Sequence, residues 1–195
     1  MANRANPPQR RLILLAGAVA LIVAACGGQP AAQLPATDGK ALFTYISQTR
    51  PYKQWGTWPK DQWNDFTTLL KSGAPHGGVV RIYVNDIALN AARDFKGQLP
   101  EGSIIVKENY TGNDPASPGN LDALTVMYKV KGYDPEHNDW FWLKVTPDGK
   151  VDAEGKVGMC YGCHAQEGNK DYVLRYGFGS EPAVISAATE PQQMP

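Results

Sequence analysis

Cysteine is scarce in this chain: 195 residues hold three, and histidine is equally rare at three. So few cysteines exclude a disulfide scaffold, and the fold has to rest on a buried apolar core. Neither sign of charge dominates, with 19 basic and 19 acidic side chains. That balance removes the electrostatic case for a nucleic-acid partner. Long hydrophobic runs are missing too. The run from Leu12 to Ala25 stops after 14 residues, too short to span a bilayer comfortably. No internal repeat is visible. What is abundant is glycine, with 20, and proline, with 15, which predicts many turns and short elements.

The N-terminus reads as a leader. Arg4, Arg10 and Arg11 precede the apolar run, which has the form of a secretory signal over residues 1–25. It ends in Val23-Ala24-Ala25-Cys26, followed by two glycines. A branched apolar residue, two small residues and a cysteine resemble the lipobox of bacterial lipoproteins, in which the cysteine sulfur is acylated. Acyl chains contribute about 0.8 kcal/mol per buried methylene, so two or three hold a protein firmly on a membrane. The expectation is an exported chain, lipid-anchored through Cys26 on the periplasmic or extracellular side. A plain signal peptide is the simpler alternative. Losing residues 1–25 takes three arginines and no acid from the 19 of each, leaving a net charge of −3.

With Cys26 assigned to lipid, Cys160 and Cys163 remain, in the run Cys160-Tyr161-Gly162-Cys163-His164. C-x-x-C-H is the attachment motif of c-type haem. Each thiol adds across one vinyl group of the porphyrin, and two intervening residues on a helical turn match the vinyl spacing. The next histidine then supplies the proximal iron ligand. A thioredoxin-like pair would need a βαβ setting, which is missing around a motif 31 residues from the C-terminus. A structural zinc site would need a fourth ligand, and only His76 and His137 remain. The motif therefore predicts one covalent haem at Cys160, Cys163 and His164.

Periodicity and punctuation lay out the rest. Residues 26–39 read as a lipidated N-terminus and flexible tether, 40–182 as the domain, and 183–195 as a loose tail. Asp38 caps a helix through Ile46, stopped before Pro51. A second helix is expected from Lys60 to Lys71, with Trp63, Phe66 and Leu70 on one side. Strands are expected at 79–84, 103–110, 122–131 and 139–146 from their branched and aromatic content, and the turn Pro147-Asp148-Gly149 leads into a short strand at 150–153. Asn85 caps a helix from Asp86 to Phe95. The cysteine motif opens a last helix, broken near Gly168. The fold class is α+β: a mainly antiparallel sheet with flanking short helices, haem held against one face, and a C-terminal attachment helix.

The succession Ala74-Pro75-His76-Gly77, Arg81-Ile82-Tyr83-Val84-Asn85, Gly102-Ser103-Ile104-Ile105-Val106-Lys107-Glu108, Asn138-Asp139-Trp140-Phe141-Trp142 and Cys160-Tyr161-Gly162-Cys163-His164 resembles the cytochrome P-460 family. That family includes hydroxylamine-oxidising cytochromes and the gas-binding cytochromes c′-beta. The resemblance spans about residues 40–180 and implies a mainly antiparallel β fold, often a homodimer, with a five-coordinate haem at rest. In the enzymatic members a lysine is bonded to the porphyrin edge, and the resemblance places that lysine at Lys107. Ile105, Lys107 and Asn109 share one strand face, while Ile104, Val106 and Tyr110 share the other.

The resemblance also places a distal carboxylate of the oxidising members at or near Met127, and the arginine that accompanies it near Val80, one residue before Arg81. A one-residue slip exchanges strand faces, which keeps Arg81 open. Met127 is either a thioether ligand above the iron or a packing residue. Glu136 and Asp139 are candidates to replace the carboxylate. His137 reads as solvated, His76 as finishing a turn, and Trp140, Phe141 and Trp142 as core and haem-wall aromatics. Two function classes follow. One is a carrier or binder of small gaseous or nitrogenous ligands that works with a redox partner protein. The other oxidises hydroxylamine or nitric oxide at a haem crosslinked to Lys107.

Overall fold

Strands in this protein lie side by side in the order in which the chain makes them. The computed structural model describes residues 33–60 and 64–173. The expected leader, Cys26, the first half of the tether and the tail at 183–195 lie outside the described residues. Six strands form one antiparallel sheet: β1 (Leu70–Lys71), β2 (Val79–Val84), β3 (Ile104–Tyr110), β4 (Leu121–Lys129), β5 (Trp140–Val145) and β6 (Val151–Gly155). Three α-helices flank it: α1 (Gly39–Thr44), α2 (Asp86–Ala92) and α3 (Gly158–His164). This is the expected α+β class.

Local chemistry explains the ends of the elements. Asp38 accepts a hydrogen bond from the Ala41 amide at 2.8 Å, and α1 runs on into a π-helical turn over Tyr45–Thr49 before Pro51. Asn85 accepts from the Ala88 amide at 3.0 Å and so starts α2. The same Oδ1 accepts from the Ile104 amide, tying that start to β3. The expected helix across Lys60–Lys71 does not form; residues 61–63 lie outside the described residues. Asp65 takes the Thr67 amide and hydroxyl at 3.1 and 2.6 Å, and this local turn competes with a helix. Leu70 and Lys71 then pair with Val80 and Val79 as the edge strand, an element the periodicity did not reveal.

Alternation divides the core between the two faces of the sheet. Ile104, Val106, Leu124, Val126, Phe141 and Leu143 pack on one face with α1 and its π-helical turn. Ile82, Ile105, Met127, Trp140 and Trp142 pack on the other, beneath α2 and the 171–173 segment. Register makes the second face continuous: Val84, Ile105, Met127 and Trp142 lie in one row across four strands, and Ile82, Lys107, Thr125 and Lys144 in the next. Lys107 therefore shares its face with the aromatic wall, not with solvent.

Candidate functional site

Helix α3 carries Cys160, Cys163 and His164, and spacings of three and four residues bring them to one side of it. That side lies over the row of Ile105, Met127 and Trp142. Between helix and sheet is a cavity. Cys160, Cys163 and His164 line it from the helix, and Lys107, Thr125 and Met127 from the sheet. Neither cysteine is in a disulfide. Burial pushes the Cys160 thiol up.

His164 is buried and held in one orientation. Its Nδ1 lies 2.7 Å from the Tyr172 carbonyl oxygen, so Nδ1 carries the hydrogen and the Nε2 lone pair is left for a ligand. Burial and the neighbouring Lys107 amine lower its proton affinity to about 4, which keeps the ring neutral. Trp142 meets the ring edge-on at 4.8 Å between centroids.

The carbonyl that aims His164 is itself clamped. Asp171 and Tyr172 both adopt left-handed φ, 60° and 63°, which costs roughly 1–2 kcal/mol per non-glycine residue. Asp171 is completely buried and every oxygen it has is engaged. One carboxylate oxygen meets the Lys129 ammonium at 2.5 Å, and the other accepts from the Leu99 amide at 2.8 Å. Its carbonyl accepts from the Trp140 indole at 2.8 Å. Lys129 also sits 4.7 Å from the centre of the Trp140 ring. These contacts hold the turn in its left-handed form and thereby fix the Tyr172 carbonyl.

Lys107 faces the cavity, and protein surrounds its stem. Burial pushes its amine down to about 8, partly offset by the nearby Cys163. An amine so placed is much nearer its nucleophilic neutral form than a surface lysine. Met127 lies beside it in the cavity wall. Among the described residues, no aspartate or glutamate lines this cavity. Asp139 instead accepts from the Asp134 amide at 3.0 Å, and Glu136 is not in the lining. Arg81 is on the face away from Lys107; its guanidinium lies 5.5 Å from the Tyr83 ring centre.

Two histidines differ from the sequence reading. His137 is only partly solvated: it stacks on Tyr161 at 3.8 Å and pairs with Asp134 at 2.9 Å, which braces α3 from outside. His76 does more than finish a turn. It lines the cavity, with Nδ1 at 3.1 Å from Asn109 Oδ1 and 3.2 Å from Thr125 Oγ1. Burial lowers its proton affinity to about 3, with Lys107 and His164 adding to the effect. The following Gly77 packs so tightly that a Cβ there would run into the Tyr110 carbonyl oxygen. The Gly77-Gly78 pair was the available sign that the chain closes against the sheet at this point. The Asp171–Lys129 clamp left no sign in the sequence, because the two residues are 42 apart.

The donor set fits a haem. The walls are largely apolar, two thiols and a free imidazole nitrogen face inward, and the buried Trp142 Nε1 in the cavity wall has no hydrogen-bond partner. An orphaned donor of this kind is costly unless a bound group takes it up. A search of curated proteins finds none that matches. A scan of protein-family models matches Cytochrome P460 across residues 49–175, which takes in β1 to β6, α3 and every cavity residue named above. The chain therefore belongs to the cytochrome P460 family and is a haem protein.

Proposed function

We propose that this is an exported, lipid-anchored, mono-haem c-type cytochrome. Cys160 and Cys163 form the thioethers, His164 ligates the iron, and the protein transfers electrons or binds small nitrogen-oxide ligands. When bound, the haem supplies an iron that changes oxidation state and takes diatomic ligands. The residues do the rest. The Tyr172 carbonyl keeps His164 Nε2 turned inward, and the sheet wall excludes water. One observation carries the reading: both thiols and the oriented imidazole line a single cavity with no carboxylate among its described residues. An oxidation that releases protons needs an acceptor in place. Its lack favours carriage and binding over that chemistry. The test is a chain matured with a c-type assembly system and run on a denaturing gel stained for haem. Stain that migrates with the chain, and disappears in Cys160→Ser/Cys163→Ser, is expected; an unstained parent chain refutes covalent attachment.

Lys107 supports a second reading, hydroxylamine or nitric oxide oxidation at a crosslinked haem. Its amine, pushed down to about 8 by burial, lines the same cavity as the two cysteines. A ferrous Soret band far to the red, returned to an ordinary position by Lys107→Ala, would establish this reading. An ordinary c-type spectrum in both proteins would end it.

A further inference from the structure

We propose that His137 is a proton site coupled to the haem, taking up one proton when the haem gains one electron. This rests on the proposed attachment at Cys160, Cys163 and His164, and it deepens the electron-transfer arm of that reading. His137 touches both parts of the chain that hold the haem. Its ring stacks on Tyr161, the residue after Cys160, with centroids 3.8 Å apart and planes at 23°. It also meets the Tyr172 ring edge-on at 6.3 Å. The Tyr172 carbonyl takes the Nδ1 hydrogen of His164. A charge on His137 is thus one residue removed from the proximal ligand.

The surroundings suit a histidine that gains and loses a proton. Asp134 Oδ2 lies 2.9 Å from its Nδ1, so Nδ1 carries a hydrogen and Nε2 is where a second proton binds. Burial works to raise the Asp134 carboxyl, but hydrogen bonds from His137 and Lys156 hold it below its ordinary value, so it stays an anion. Its other oxygen meets the Lys156 ammonium at 3.1 Å. One carboxylate therefore serves two cations, and it does not lock the imidazole in its charged form. The His137 side chain is 25% exposed, which lets water deliver and remove the proton. On its own loop Glu136 is adjacent, and Asp139 accepts from the Asp134 amide. Helix α3 presents the Tyr161 phenol. The 171–173 segment presents Tyr172, with Asp171 committed to Lys129. The 165–170 turn touches the loop through Asn138 and the Gly168 carbonyl, and its Glu167 and Lys170 pair at 2.9 Å.

Tyr172 and Asp134 are buried, so a charge placed between them acts on the haem with little screening. Reduction removes one positive charge from the haem, and the ferrous protein then binds the His137 proton more tightly than the ferric one. One electron enters from the redox partner and one proton from water, which leaves the net charge of the site unchanged. The experiment is a spectroelectrochemical titration of the matured protein between about pH 5 and 8, where histidine changes charge. The midpoint potential of the parent is expected to fall as pH rises through this window. In His137→Gln and His137→Phe it is expected to stay level; the phenylalanine keeps a ring on Tyr161 but has no nitrogen to titrate. A level potential in the parent overturns the proposal, and so does a slope that survives both substitutions. A measurement on the parent alone guards against a variant that fails to fold. Electrode reduction in weakly buffered solution should draw protons from an indicator dye, and no uptake also overturns the proposal. The haem-stained gel reads attachment independently of pH, so failure of the underlying c-type reading is distinguishable from failure of the proton coupling.

Discussion

Lys107 and Glu108 are neighbours on β3, yet their side chains meet opposite circumstances. Glu108 is 1% exposed, with Tyr52 and Tyr110 hydroxyls at 2.7 and 2.9 Å and Lys53 at 3.5 Å. That carboxylate is completed by its own face of the sheet. Lys107, one residue earlier, lines a cavity that also holds an orphaned indole donor and two imidazoles with an unoccupied nitrogen each. Polar groups buried for stability come with partners; polar groups buried for binding wait for one. On β3 the two kinds lie at adjacent positions, on opposite faces of the sheet.

The comparison can be broken first on the cavity side, where Lys129 and Asp171 form a buried pair with side chains 10% and 0% exposed. Lys129→Ala leaves the Asp171 charge unpaired and should cost about 4 kcal/mol in urea unfolding. Because the clamp aims the Tyr172 carbonyl, the same variant should shift the haem midpoint potential. A stability loss with no change in potential would separate the clamp from the site.

Glu108→Ala strands the buried Tyr52 hydroxyl and the part-buried Tyr110 hydroxyl, and should cost about 3 kcal/mol. Here the haem spectrum should stay as it was, since the loss is confined to the completed face. A spectral change would show that the faces are coupled. Trp142→Phe is expected to change the stability of the haem-free chain by no more than about 1 kcal/mol, because it removes a donor that has no partner to lose. A large loss there would mean that the indole nitrogen is already satisfied.

The smallest effect is a titration. Burial and the hydrogen bond to Glu108 raise the Tyr110 phenol from 10 to about 12. A raised folded value means that the folded state holds the proton longer. Its contribution to stability is thus complete below pH 10 and disappears as pH rises through about 12. Ultraviolet titration of phenolate should show one tyrosine ionising near the upper value, and Glu108→Gln should bring it down. An unchanged titration would remove Glu108 as a cause.

Much of this was legible from pattern alone. Strand alternation placed Lys107 with Ile105 and Asn109, and the structure puts Ile105 and Lys107 on the cavity wall, with Asn109 bonded to His76. The strands from 79 to 146 follow from branched and aromatic runs because each is buried on at least one face. The 60–71 segment misled for the same physical reason that helices lose to turns elsewhere. Its apolar spacing suits a helix, but Asp65 satisfies its neighbours locally and Leu70 finds a strand partner. His76 was underrated because a histidine beside Pro75 and Gly77 has the signature of a turn. That turn packs onto β3, and only the tertiary fold reveals what lies opposite. His137 looked solvated because its loop is rich in charge, yet Tyr161 covers it.

Spatial and sequential order coincide in this sheet, and α3 follows all six strands. No strand has to wait for a later one to be inserted beside it, so pairing can proceed in chain order. The strands that wall the cavity thus all precede Cys160, Cys163 and His164 in the chain. A chain that stops between Gly155 and Gly158 retains every strand but loses the helix that covers Ile105, Met127 and Trp142. Such a product leaves an apolar face open to other chains, which makes α3 as important to solubility as to chemistry.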